Sequence, residues 1–63
     1  MPFVHVYMVT GRTADQKRRL TTAITKALVE EAGATVEDVS IILHDTQPSD
    51  WSEGGLLLNE KKR

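Results

Sequence analysis

The chain has 63 residues, a formal net charge of −1 and no cysteine. A chain this short makes one domain, residues 1–63, and buries only about 60% of the surface its unfolded form exposes, so a solitary monomer is marginal. The near-neutral charge offers no general attraction to nucleic acid or to an anionic membrane, and the lack of cysteine excludes a disulfide, a thiolate nucleophile and a cysteine-bearing metal site.

Oligomerisation remains as the source of extra stability, and a homo-oligomer is expected. The apolar runs fall far below the roughly 18–20 residues of a membrane span, and the N-terminus lacks the basic and apolar regions of a signal peptide. A soluble cytoplasmic protein is expected.

The chain opens Met1-Pro2-Phe3-Val4-His5-Val6-Tyr7-Met8-Val9-Thr10-Gly11-Arg12. Initiator methionine is normally removed before proline, which gives an expected mature chain of 2–63 headed by the secondary amine of Pro2. A free α-amino group titrates near ~7.7–8.0, and desolvation or a nearby cation lowers that value, leaving a neutral base at pH 7. The ring holds the nitrogen rigidly, so such a base needs no mobile side chain. The plainer alternative is that Pro2 merely starts a strand, where its missing N–H needs no partner.

From Phe3 to Val9 the residues are β-branched and aromatic, and both parities are largely apolar, which predicts a strand covered on both faces. His5 shares a face with Phe3 and Tyr7 and reads as a packing residue without a catalytic role. Thr10-Gly11-Arg12-Thr13 is a turn, and Thr13 with Gln16 has the spacing of a capping box. A helix over about Ala14 to Ala32 follows, with Leu20, Ala23, Ile24, Ala27 and Leu28 as its apolar stripe and Gly33 as its left-handed stop. Lys17, Arg18 and Arg19 read as a solvated helix face. Arg12, before the cap at the end of a strand, can point into a cleft, with a plain surface arginine as the alternative.

Thr35 to Asp38 reads as a short capped turn and Val39-Ser40-Ile41-Ile42-Leu43-His44 as a second strand. Strand, long helix, strand is a βαβ unit with parallel strands and a right-handed crossover, hence an α/β (α+β) fold. Two strands do not make an independently stable sheet, which again calls for a second subunit. Gln47 to Asp50 is a loop, Gly54-Gly55 a turn signal, and Leu56-Leu57-Leu58 an arm expected to pack on a neighbouring chain. Glu60 to Arg63 reads as a solvated tail. There is no repeat, phosphate-binding glycine loop or metal motif, and His5 and His44 lack ligand-type spacing, so no cofactor or metal is expected.

With these pieces in place the chain resembles the 4-oxalocrotonate tautomerase family over nearly its whole length. Met1-Pro2, Gly11-Arg12-Thr13 followed by Asp15-Gln16-Lys17, and Gly54-Gly55 after an aromatic carry the likeness. The resemblance implies a β-α-β protomer with a short C-terminal hairpin, strands pairing across a dimer, and dimers commonly forming hexamers. It gives Pro2 the role of catalytic base, Arg12 that of carboxylate grip, and Trp51, where members usually have phenylalanine, that of keeping the site apolar. Ser40 is a departure: the best-known members carry there an arginine that binds a carboxylate and polarises the carbonyl oxygen.

The expected reaction is a tautomerisation of a small 2-hydroxy or 2-oxo carboxylic acid. One alternative rests on Glu53, which matches the water-activating glutamate of a hydrating dehalogenase branch in which proline is an ammonium acid. The other is a non-catalytic oligomeric binding protein of the same fold, for which Ser40 is the best argument.

Overall fold

The computed structural model describes residues 1–61, so Lys62 and Arg63 of the expected tail lie outside the described residues. Strand β1 (Phe3–Val9) leads into helix α1 (Ala14–Ala32), a 3-10 turn at Val36–Asp38 and strand β2 (Ser40–Thr46). A second 3-10 turn at Pro48–Asp50 precedes a small hairpin of β3 (Ser52–Glu53) and β4 (Leu56–Leu57), and a third covers Leu58–Glu60.

β1 and β2 pair in parallel, Phe3 opposite Ser40 and Val9 opposite Thr46. The bounds of β1 and α1 agree with the residue pattern. β2 begins one residue later than expected, because the Val39 amide bonds back to the Val36 carbonyl at 3.3 Å and closes the 3-10 turn. It runs two residues longer, because the end of β1 continues to supply partners, the Thr10 amide reaching the Thr46 carbonyl at 3.0 Å. Thr35 stands before the 3-10 turn without the side-chain cap its position suggested.

Local chemistry fixes both ends of α1. The Gln16 amide donates to Thr13 Oγ1 at 3.1 Å while the Thr13 amide donates to Gln16 Oε1 at 2.8 Å, satisfying two otherwise orphaned donors reciprocally. At the other end Gly33, with φ 72°, takes the left-handed conformation that costs a Cβ-bearing residue about 1–2 kcal/mol, and its amide bonds to Leu28.

The half-buried side of α1 is centred on Leu20, Ile24 and Leu28 as expected, but it includes Thr21, Thr25 and Val29 and leaves Ala23 and Ala27 exposed. Thr21 can face inward because its hydroxyl is satisfied by the carbonyls of Lys17, at 3.1 Å, and Arg18, at 3.0 Å. Arg18 and Arg19 lie on the solvated face beside Asp15. Lys17 does not: it pairs with Asp45 of β2 and ties the helix to the sheet.

α1 covers the Val4, Val6 and Met8 face of the sheet. The opposite face is bare, with Phe3 58% and Tyr7 63% exposed, so within one chain the expected cover on both faces is present on one side only. Among the described residues none is fully buried. The radius of gyration is 14.9 Å, against about 11 Å for a compact domain of this length. The leucine arm is partly self-packed: Leu56 and Leu57 pair with β3, and the Leu58 amide bonds to the Trp51 carbonyl at 2.9 Å, leaving Leu56 as the exposed member.

Thr13→Ala removes one half of the capping box and is expected to lower stability by about 1 kcal/mol. Urea denaturation at a fixed protein concentration measures it.

Candidate active site

Pro2 stands at the head of β1, half-buried, and its carbonyl accepts the Ser40 amide at 3.1 Å. The residue expected at the head of the chain and the one that departs from the resembled pattern are therefore neighbours, joined through the main chain. The contact is set by the parallel register, which places Phe3 opposite Ser40. Met1, 89% exposed, precedes Pro2, so in the unprocessed chain the proline nitrogen is an amide.

Arg12 sits at the other end of the strand. Its guanidinium donates to the Val9 carbonyl at 2.9 Å, which holds it at the sheet's far edge, and the residue is exposed. Pro2 and Val9 are seven strand steps apart, about 23 Å at ~3.3 Å per residue. No bend of one arginine side chain spans that distance, so a single chain does not bring Pro2 and Arg12 together. An active site containing both requires two copies of the chain.

Trp51 and Glu53 lie in the C-terminal arm. Trp51 is half-buried between the second 3-10 turn and β3, its backbone held by the Pro48 carbonyl, at 3.4 Å, and the Leu58 amide. Gly54 and Gly55, at φ 61° and 83°, form the two-residue hairpin link, in which both positions need left-handed backbone. Glu53 is exposed, and Lys61 Nζ donates to its Oε1 at 2.9 Å. That cation competes for the oxygen a water would need.

A groove on the flank of α1, lined by Thr25, Lys26, Val29 and Val36 among others, contains none of these residues. Among the described residues no group of three or more histidine, cysteine, aspartate or glutamate side chains is placed to hold a metal ion, and no helix is long and apolar enough to cross a membrane. The residue pattern did not reveal the bond between His5 and His44: Nδ1 of the first and Nε2 of the second lie 2.8 Å apart. The two are 39 positions apart, and only the β1–β2 register puts them together.

A proline-headed β-α-β unit with a glycine-linked C-terminal hairpin is the architecture of a tautomerase protomer. The tautomerase enzyme family profile matches residues 2–61, and the chain belongs to that family. It is 36% identical over 63 residues to a 2-hydroxymuconate tautomerase of Comamonas testosteroni, covering all of both chains. Its fold is similar to that of YwhB, a homologue of 4-oxalocrotonate tautomerase, with a TM-score of 0.92 and 31% identity over 97% of this chain and all of that one. It is also similar to a heterohexameric 4-oxalocrotonate tautomerase from Chloroflexus aurantiacus J-10-fl, with a TM-score of 0.90 and 26% identity over 98% of this chain and all of that one. The protein is thus an isomerase of the 4-oxalocrotonate tautomerase kind.

Gly55→Ala forces a Cβ into left-handed backbone at a cost of about 1–2 kcal/mol, borne by the hairpin rather than by α1. Hydrogen exchange at the Leu58 amide, which closes the arm onto Trp51, is expected to accelerate roughly 5- to 30-fold, with exchange in the middle of α1 unchanged.

Proposed function

We propose that the mature chain tautomerises a small 2-hydroxy or 2-oxo acid, with the Pro2 amine as general base and Arg12 of a neighbouring copy holding a substrate carboxylate. The observation that carries this reading is the position of Pro2, whose amine, once Met1 is removed, ends the strand beside Ser40 with its own carbonyl anchored. The amine takes the proton of the enol hydroxyl, the electron pair moves to form the carbonyl as the double bond shifts, and the same proton is returned at carbon. Such a cycle works best when the base has a pKa near ambient pH.

Arginine's planar fork matches a carboxylate bidentately and fixes the orientation in which proton transfer occurs. Trp51 excludes water, which strengthens the charge interactions around the amine and keeps it neutral. Ser40 replaces a full charge by a weak neutral donor where negative charge develops on the carbonyl oxygen. One donor in such a place is worth roughly 2.7–4 kcal/mol, so the preferred substrate carries a single carboxylate. The exposed Phe3, Tyr7 and Ile42 face and the split between Pro2 and Arg12 both support a homo-oligomer, with a hexamer built from dimers as the form expected from the resemblance.

Four results test this. The intact mass of naturally processed protein should lack one methionine residue. Pro2→Ala and Arg12→Ala should each abolish turnover of a 2-hydroxydienoate, and unfolding and refolding the two variants together should restore part of it, because mixed assemblies contain sites with both groups intact. Recovery no greater than either variant alone would place both groups in one chain and sink the shared-site reading.

On 2-hydroxymuconate, kcat/KM should fall roughly 10²- to 10³-fold below that of an arginine-bearing relative, and Ser40→Arg should recover much of the difference. Because the base must be neutral, kcat/KM should drop tenfold per unit as pH falls below the amine's pKa. The hydration chemistry built on Glu53 requires protonated Pro2 and predicts the opposite limb.

A further inference from the structure

Arg12 hangs between two rigid parts of the chain. Behind it β1 ends at Val9, whose carbonyl accepts from the Arg12 guanidinium at 2.9 Å. Ahead of it the capping box locks Thr13 to Gln16, so Arg12 is the residue directly in front of a fixed helix start. Between strand and helix stands Gly11 at φ 131°, a conformation open to glycine that gives the turn freedom to swing. Where the arginine sits in relation to the sheet therefore depends on how the first turn of α1 is anchored.

The Thr10 amide bonds to the Thr46 carbonyl at 3.0 Å, but this fixes the turn on the strand side of Gly11 only. The apolar stripe of Leu20, Ile24 and Leu28 packs on the sheet, yet such contact is non-directional and lets a helix slide or rock. The directional anchor is Lys17, four residues beyond the cap, whose ammonium pairs with Asp45 of β2. Among the described residues this is the one ion pair between α1 and the sheet, because Arg18 and Arg19 turn to Asp15 of their own helix. The Lys17 and Asp45 side chains are each 33% exposed, so the pair is shielded from most of the solvent that weakens a surface contact. Asp45 stands opposite Met8 and precedes Thr46, which puts the pair at the strand end from which Arg12 departs.

We propose that Lys17 and Asp45 are positioning residues that hold Arg12 where its fork meets a substrate carboxylate. The proposal rests on the reading of Arg12 as the carboxylate grip. The contacts close a ring: from Val9 to Arg12, through Thr13 and Gln16 to Lys17, across to Asp45, and by way of Thr46 back to the end of β1. Opening the ring at the ion pair lets the helix start move about Gly11 and carries Arg12 with it.

The arginine then occupies its binding position for only a fraction of the time, and apparent affinity for the carboxylate falls by that fraction. Bound substrate selects the competent position again, so turnover from the complex is kept. Pro2, at the opposite end of β1, is not displaced. The signature is a rise in KM without loss of kcat, confined to substrates that carry the anion.

The experiment measures kcat and KM of the processed chain on a 2-hydroxydienoate and on its methyl ester, for the wild type, Lys17→Met and Lys17→Arg. Lys17→Met should raise KM for the acid about tenfold with kcat within about twofold, and leave both constants unchanged for the ester, which offers the fork no anion. Lys17→Arg keeps a cation for Asp45 and should restore the wild-type KM. Equal losses on acid and ester, a fall in kcat in place of the rise in KM, an unchanged KM for the acid, or an arginine that restores nothing each overturns the proposal. Should Lys17→Met not fold, Asp45→Asn decides: it keeps an acceptor for Lys17 but no charge, and should give the same split at smaller size, whereas an unchanged KM for the acid refutes the role. An Arg12→Ala variant that turns over the acid as well as the wild type overturns the reading of Arg12 itself, an outcome distinct from any result at Lys17.

Discussion

The parallel pairing of β1 with β2 is the constraint from which the other features follow. A 19-residue helix, about 29 Å long at ~1.5 Å per residue, carries the chain back along the sheet, so β2 must run in the same direction as β1. Such a unit has one helix for two sheet faces. It covers the Val4, Val6 and Met8 side and leaves the Phe3, His5 and Tyr7 side open, and among the described residues neither sheet edge has a further strand. The absence of any fully buried residue among those described is a consequence of this topology rather than of a weak sequence.

The same topology separates the chemical groups. β1 has the proline at one end and the arginine at the other, and the C-terminal hairpin carries Trp51 and Glu53 out on an arm. A chain extending 43 Å along its longest axis and only 16 Å along its shortest has no interior in which these could meet. Stability and chemistry then share one requirement. A site that used both Pro2 and Arg12 would need a second copy, and the bare sheet face asks for one as well.

What could be read from the residues is what depends on near neighbours. Thr13 and Gln16 are three positions apart and Gly33 ends the helix by its own backbone freedom, so both helix bounds were legible, as was β1 from its unbroken β-branched and aromatic run. Val39 is as β-branched as its followers, yet the 3-10 turn takes its amide, a competition that propensity does not register. Both parities of β1 are apolar, yet among the described residues only the Val4, Val6 and Met8 face is covered, because one helix can cover only one side of the sheet. The leucine arm depended on where Trp51 lies, and the His5–His44 bond depended on strand register across 39 positions, neither of which is a local property. Pro2 and Ser40 were each singled out, but for separate reasons, and their adjacency emerges only from the register.

That adjacency leaves the side chain at position 40 free to vary without disturbing the fold. The bond that joins it to Pro2 runs from the backbone amide of residue 40 to the carbonyl of residue 2, so every side chain except proline keeps it. The side chain is free to vary in charge while its backbone stays fixed beside the N-terminal nitrogen. On the proposed reading, an arginine there would add a cation near the amine and a grip for a second carboxylate, and serine supplies neither. The hairpin cannot be tuned in the same way, because Glu53 is tied to Lys61 and its strand to a turn that tolerates little besides glycine. Position 40 is therefore a place beside Pro2 where side-chain charge can change at little cost in structure.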